Sequence, residues 1–422
     1  MRTIKDTITL EDARRLTGPL AFSLMLKPAG SLCNLDCAYC YYLDKSEIYG
    51  GREPRMSLED LERYVRCYIA ACETDEVTFN WHGGEPLILG LDFYRKAVEF
   101  QKKYADGKKI SNTLQTNATL VNEEWARFFA EQGFLLGVSV DGPPEVHDRY
   151  RKDRGGVPTL ERVLRGVSHL YAAKAEYNIM ATINSASEGK GLQVYQYLKG
   201  LGSAFIQFSP VVEHVVWPLR NGKPDRHARP HIVDPSVEGA TLAPWSVSPV
   251  GFGRFLCDIF DYWVKYDVGR IFVNAFDCTL ANWCGVPPGT CSYAETCGGN
   301  AVVEHNGDVY SCDHFVYPKY LIGNIYRDSL KDMMGSPEQL RFGIDKRNSL
   351  PRKCLRCECW PLCHGGCPKH RFNTTDSGQT GLNALCEGYY MFFKRSAGAM
   401  LRMKNLIAEG KAPALVMFDS QP

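Results

Sequence analysis

The stretch SLCNLDCAYCYYLD, residues 31–44, places Cys33, Cys37 and Cys40 in a C-x3-C-x2-C run directly after the apolar segment AFSLMLKP. Thiolates this close together on one loop can hold adjacent corners of an iron–sulfur cluster. A closed tetrahedral zinc site needs a fourth ligand, and no fourth Cys or His lies close by in the chain. An open corner suggests a reactive site.

Outward from this loop, residues 22 to 212 alternate short apolar runs with longer segments of helical period. The strand candidates are AFSLMLKP, EVTFNWHGG, ISNTLQTN, FLLGVSVDG, EYNIMATIN and AFIQFSPVV. Helix candidates lie between them, among them SLEDLERYVRCYIAAC, where Ser57 and Asp60 are spaced as a capping box, and TLERVLRGVSHLYAAK. Six strand–helix repeats predict a parallel sheet, either open or curled into a partial barrel. The polar or glycine-rich pieces SLCNLDCAYC, HGGEP, QTNAT and SVDGP each follow a strand candidate, which gathers them at the C-terminal edge of the sheet.

The chain has 422 residues, 45% of them hydrophobic and 23% charged, a composition for roughly two or three globular domains. Lysines and arginines number 49 against 48 acidic residues, so charge gives no case for nucleic acid as a partner. A charged N-terminus and the lack of any run of about 18 apolar residues predict neither a signal peptide nor a membrane span, hence a cytoplasmic protein. Kept reduced there, seventeen cysteines favour metal ligation over disulfides. Three lie in residues 33–40 and twelve beyond residue 256, which suggests separate sites.

Residues 213–250 are Pro-rich and aperiodic. They read equally as an insertion covering the site mouth or as a disordered connector. The helical segment GFGRFLCDIFDYWVKYDVG follows, then AVVEHNGDVYSC, two alternating runs about Asn306-Gly307 that predict a hairpin. The cysteine-rich remainder reads as small, loop-rich and dependent on metal. A zinc ribbon would need two C-x2-C knuckles, and only Cys354 and Cys357 form one; zinc stays open as an alternative.

The C-x3-C-x2-C run with Tyr39 before its last cysteine, followed by HGGEP at residues 82–86, resembles the radical S-adenosylmethionine (SAM) superfamily. That resemblance implies a partial (β/α)6 TIM-type barrel and a [4Fe-4S] cluster on Cys33, Cys37 and Cys40 whose open iron is chelated by SAM. It implies SAM contacts from Tyr39, Gly83, Gly84, Glu85, Ser139, Arg151 and Val212. The C-terminal spacing resembles the SPASM domain, with Cys291, Cys297, Cys312 and Cys367 matching the ligands of one auxiliary [4Fe-4S] cluster and Cys354, Cys357, Cys363 and Cys386 those of a second. Cys67, Cys72 and Cys257 remain as core residues, and Cys278 or Cys284 as an alternative ligand beside the first set; Cys359 is unassigned. The domains expected are the barrel at 1–250 with its insertion at 213–250, a helical linker at 251–285, the SPASM domain at 286–395, and a C-terminal helix and tail at 396–422.

Within the superfamily, CAYCYYLDK, HGGEP, QTNATL, SVDGP, SCDHF and GNIYRDSL together resemble the anaerobic sulfatase-maturating enzymes. The resemblance implies oxidation of a Cys or Ser in a Cys/Ser-x-Pro-x-Arg sequence of an unfolded sulfatase to formylglycine. It implies Asp313 as the base, Tyr42 near the substrate, auxiliary clusters taking an electron, and a low-potential donor of flavodoxin or ferredoxin type. His82 stands where some members carry Gln. A different SPASM enzyme, forming thioethers or other crosslinks in a ribosomal peptide, would share every cluster ligand; a zinc-stabilised binding protein is the alternative from another class.

Overall fold

A computed structural model describes residues 7–16, 22–49, 55–226 and 228–418. Residues 1–6 of the charged N-terminus, residue 21 of the first strand candidate, residue 227 of the insertion and residues 419–422 of the tail lie outside the described residues. Six parallel strands, β1 (Ser23–Lys27), β2 (Glu76–Trp81), β3 (Lys109–Thr116), β4 (Phe134–Ser139), β5 (Glu176–Ile183) and β6 (Phe205–Pro210), pair in chain order. All six coincide with the strand candidates within two or three residues. Helices Leu58–Ala71, Leu91–Tyr104, Glu123–Gln132, Leu160–Ala172 and Gly191–Lys199 supply the crossovers.

Period-two alternation explains the packing. Val77, Phe79 and Trp81 are buried on one face of β2 and join Tyr64, Tyr68 and Tyr94 from the helices in one core. Each such side chain removed from water contributes about 1.5–3 kcal/mol. The other face carries polar residues that bond across strands: Thr113 donates to Asn80 at 2.8 Å and Gln115 to Ser139 at 2.9 Å. Ser57 caps its helix by accepting from the Asp60 N–H at 3.1 Å, a contact worth about 1 kcal/mol.

The insertion is ordered, so the disordered-connector alternative falls. His214–Val216 pairs antiparallel with His231–Val233 and Thr241–Leu242. Val215, Ala243 and Trp245 pack with Val211 against Leu35, Cys37 and Tyr39 of the cysteine loop. Arg229 adds ion pairs to Asp36 at 2.7 Å and Asp44 at 3.3 Å. This segment packs on the outside of the cysteine loop. Its strands escape sequence detection because each is two or three residues long, below the length at which periodicity shows.

Helices Pro249–Tyr266 and Asn274–Cys284 fill the expected linker, the first beginning two residues early. The predicted hairpin forms between Asn300–Glu304 and Asp308–Tyr310, and Gly307 supplies the positive φ of +85° at its turn. Unforeseen in the sequence, Asn300–Glu304 also pairs in parallel with β1, in register from Ser23↔Asn300 to Lys27↔Glu304. Barrel strands and C-terminal hairpin therefore share one ten-stranded sheet. Helix Cys386–Ala408 closes the molecule against Pro249–Tyr266 through Phe252–Tyr389 and Phe260–Phe392 ring contacts.

Candidate active site

The cysteine loop leaves the end of β1 and is clamped from three strand ends. After β2, Gly84 N–H donates to the Gly30 carbonyl at 2.7 Å and Glu85 N–H to the Leu32 carbonyl at 2.9 Å. A Cβ on Gly84 would sit 2.1 Å from the Leu32 oxygen, so this glycine is required by the cysteine loop itself. After β3, Asn117 donates to Asn34 at 2.9 Å. After β4, Arg154 donates to the Cys33 carbonyl at 3.0 Å. The Glu85 side chain is fully buried and accepts from Thr116 at 2.9 Å, Asn117 N–H at 2.8 Å and Leu87 N–H at 3.1 Å. Burial raises its carboxyl to about 7, against the lowering effect of these bonds. Glu85 thus ties the second and third strand ends together behind the loop.

Tyr39 and Arg151 meet at one buried acid that sequence reading missed. The Tyr39 hydroxyl donates to Asp141, and Arg151 pairs with the same carboxylate at 3.1 Å while lying 5.5 Å from the Tyr39 ring centre. Asp141 also accepts from Thr182 N–H at 3.0 Å. Burial would raise this carboxyl, but Arg151 overcomes it and keeps it low. The sequence signal was the D of SVDGP, the one acid directly at a strand end in that motif. Ser139 ends β4 with its hydroxyl bonded to Gln115, and Val212 is buried just beyond β6.

Asp313 lies where the two parts of the chain meet. Its carboxylate pairs with Lys27, the last residue of β1, and accepts from the Tyr41 hydroxyl. Burial would raise it, yet Lys27, His82 and His314 hold it well below the usual carboxylate range. Tyr42 is buried with its ring centre 3.2 Å from the Lys27 ammonium and its hydroxyl 2.6 Å from Glu304. Burial pushes His82 down to about 4, and its Nδ1 accepts from Gly83 N–H at 2.8 Å, so the neutral ring carries its proton on Nε2. Lys27 and Glu304 were not among the sequence candidates. A charged residue closing an otherwise apolar strand was the available signal.

The thiols fit iron–sulfur clusters. All seventeen cysteines are unpaired in disulfides. Among the described residues no three His, Cys, Asp or Glu side chains converge as a single metal ion would require; a four-iron cube holds each thiolate on its own iron, further apart. Burial raises the thiols of Cys297, Cys312 and Cys367, and neighbouring thiols raise them further: Cys291 and Cys367 act on both Cys297 and Cys312, and Cys291 acts on Cys367. Cys354, Cys357, Cys363 and Cys386 line one cavity with Cys359, Trp360 and Tyr389. Cys278 instead donates to the Pro288 carbonyl at 2.9 Å. Burial raises the thiols of the first loop, Cys37 to about 12, so cluster loading there releases protons.

Comparison with known proteins agrees with this geometry. Residues 28–185 match the model of the radical SAM superfamily, and residues 291–358 match SPASM, an iron–sulfur cluster-binding domain. A thiol triad at the C-terminal edge of a parallel partial barrel, with such a domain joined to it, defines a radical SAM oxidoreductase. Over 395 residues the chain is 47% identical to the serine-type anaerobic sulfatase-maturating enzyme of Bacteroides thetaiotaomicron, covering 93% of this chain and 94% of that one. The cysteine-type enzyme of Clostridium perfringens is 31% identical over 389 residues, 91% and 99% of the two chains. Native anSMEcpe with bound AdoMet and Cp18Cys peptide superposes with a TM-score of 0.76 at 31% identity, over 91% and 99% of the chains. The chain belongs to the family of anaerobic sulfatase-maturating enzymes. Its cofactors are SAM and [4Fe-4S] clusters, one that binds SAM and two auxiliary. Among the described residues no helix is long and apolar enough to cross a membrane.

Proposed function

We propose that the chain oxidises a Ser or Cys within a Cys/Ser-x-Pro-x-Arg sequence of an unfolded sulfatase to formylglycine without oxygen. The observation that carries this reading is the Asp313 carboxylate, largely shielded from solvent, paired with Lys27 and adjoining Cys312 at the end of the hairpin. Serine is the favoured target, since the serine-type relatives reach 47% and 35% identity and the cysteine-type 32% and 31%. In this reading residues 1–250 form the radical SAM barrel with its insertion at 213–250, 251–285 a helical linker, 286–395 the SPASM domain and 396–422 a C-terminal helix and tail. A cytoplasmic setting and a flavodoxin- or ferredoxin-type donor complete the reading, because such chemistry needs a reducing, low-potential supply of electrons.

Cys33, Cys37 and Cys40 would hold the SAM-binding cluster, with Tyr39, Gly83, Gly84, Glu85, Ser139, Arg151 and Val212 shaping the SAM site. When bound, these groups supply a 5'-deoxyadenosyl radical that takes hydrogen from the target Cβ, and the auxiliary clusters on the two cysteine quartets supply an acceptor for the second electron. Asp313 takes the hydroxyl or thiol proton of the target; a Ser target thereby becomes the aldehyde, and a Cys target a thioaldehyde that water hydrolyses to the aldehyde with loss of sulfide. Lys27 and the Tyr41 hydroxyl fix the orientation of that carboxylate, and Tyr42 walls the same corner. The insertion packs on the cysteine loop and holds it from outside.

Anaerobic incubation with SAM, a reductant and a Ser-x-Pro-x-Arg or Cys-x-Pro-x-Arg peptide tests the reading. A hydrazine-trapped aldehyde is expected. A crosslinked peptide without aldehyde would transfer the chain to the peptide-crosslinking SPASM enzymes.

A further inference from the structure

We propose that Glu304 is a positioning residue for the oxidation, holding Tyr42 so that its ring braces the Lys27 ammonium on Asp313. The proposal rests on the reading of Asp313 as base. Glu304 touches neither Asp313 by a hydrogen bond nor any cluster thiol; it acts through two other side chains.

The geometry is set by register. Lys27 and Glu304 are paired residues on adjacent parallel strands and both side chains are fully buried. Both Glu304 oxygens lie 2.6 Å from the Tyr42 hydroxyl, which therefore donates to the carboxylate from a fixed place. A phenol that donates to a carboxylate has an electron-richer ring, and such a ring attracts a cation on its face more strongly. The Lys27 ammonium is 3.2 Å from that ring centre, and the same ammonium pairs with Asp313. One side chain from the first barrel strand, one from the cysteine loop and two from the hairpin region thus form a single chain of contacts: Glu304, Tyr42, Lys27, Asp313. The other charged or titratable groups about Glu304 are His305, 4.0 Å away, Asp308 and Tyr310 on the hairpin, and Tyr49. None of these lies between Glu304 and Lys27 in that chain.

Loss of the brace should free Lys27 and misplace Asp313 without disturbing radical formation. In Glu304→Ala, formylglycine formed per 5'-deoxyadenosine released is expected to fall about tenfold, a typical loss for one oriented contact. Peptide affinity measured without reductant, and iron content, should match wild type. Glu304→Gln should restore most of the coupling, because its amide oxygen still accepts from Tyr42. Tyr42→Phe, which leaves the buried carboxylate in place, should reproduce the uncoupling even if Glu304→Ala folds poorly. In a Lys27→Met background, Glu304→Ala should cause no further loss.

Wild-type coupling in Glu304→Ala, no rescue by Glu304→Gln, or an additive loss with Lys27→Met would each overturn the proposal. The two readings fail separately. Full product from Asp313→Asn overturns the base, whereas coupled turnover by Glu304→Ala beside an inactive Asp313→Asn overturns the role of Glu304.

Discussion

The Lys27 ammonium meets the Asp313 carboxylate although 285 positions separate them in the chain, one ending the first strand of the barrel and the other following the C-terminal hairpin. The pair joins the end of β1, where the thiol loop begins, to the auxiliary domain at one largely enclosed point. It also leaves Asp313 ionised before any substrate arrives.

Replacing Asp313 by Asn keeps its shape and removes its capacity to take a proton. Formylglycine formation should fall about a hundredfold or more, the usual range for a general base, while reductive cleavage of SAM continues. Product and 5'-deoxyadenosine measured in the same reaction decide it; unchanged product removes Asp313 as base.

Iron content separates the three thiol sets. Anaerobic reconstitution should give about 12 iron atoms per chain, at four per cubic cluster, and Cys33→Ala/Cys37→Ala/Cys40→Ala should retain about eight. A triple variant that still holds the full complement would dissociate the loop from cluster binding.

Gly84→Ala places a methyl group 2.1 Å from the Leu32 carbonyl oxygen, so the cysteine loop must move. Overpacking of this kind costs about 1–3 kcal/mol, and here the displaced backbone carries the thiols. A lower melting temperature together with reduced iron on the N-terminal site is expected. Wild-type values of both would show that the loop yields without cost.

Glu85 gives a pH signature. Its folded carboxyl is raised to about 7 from an ordinary value of 4.5. A raised pKa contributes stability that is complete below the unfolded value and is lost as pH rises through the folded one. Between pH 5 and 8 the wild type should therefore lose stability relative to Glu85→Gln. Melting temperatures of both proteins across that range give the comparison, and parallel curves would refute the shift.

Much of the fold was legible because each barrel strand is long enough to alternate and each is followed by a polar motif. The cysteine triad was equally plain, since its ligands are neighbours in the chain. Asp141 and Glu304 were harder to find. Both act through contacts made by distant residues, Arg151 and Tyr39 in one case and Tyr42 in the other, and the local signal, an acid at a strand end, does not by itself distinguish a paired buried acid from a turn or edge residue. The pairing of Asn300–Glu304 with β1 was invisible for a related reason: a parallel partner is specified by the other strand's free edge, and its crossover here spans most of the chain.

That pairing makes the C-terminal domain a poor candidate for a detachable module. A chain cut after the barrel would leave β1 with a bare row of peptide groups, an invitation to edge-to-edge aggregation. Swapping the domain between relatives would require the incoming strand to match β1 residue for residue, because a slip of one position would turn Glu304 to the opposite face of the sheet. Chimeras in this family are therefore better joined within loops that leave both paired strands from one parent.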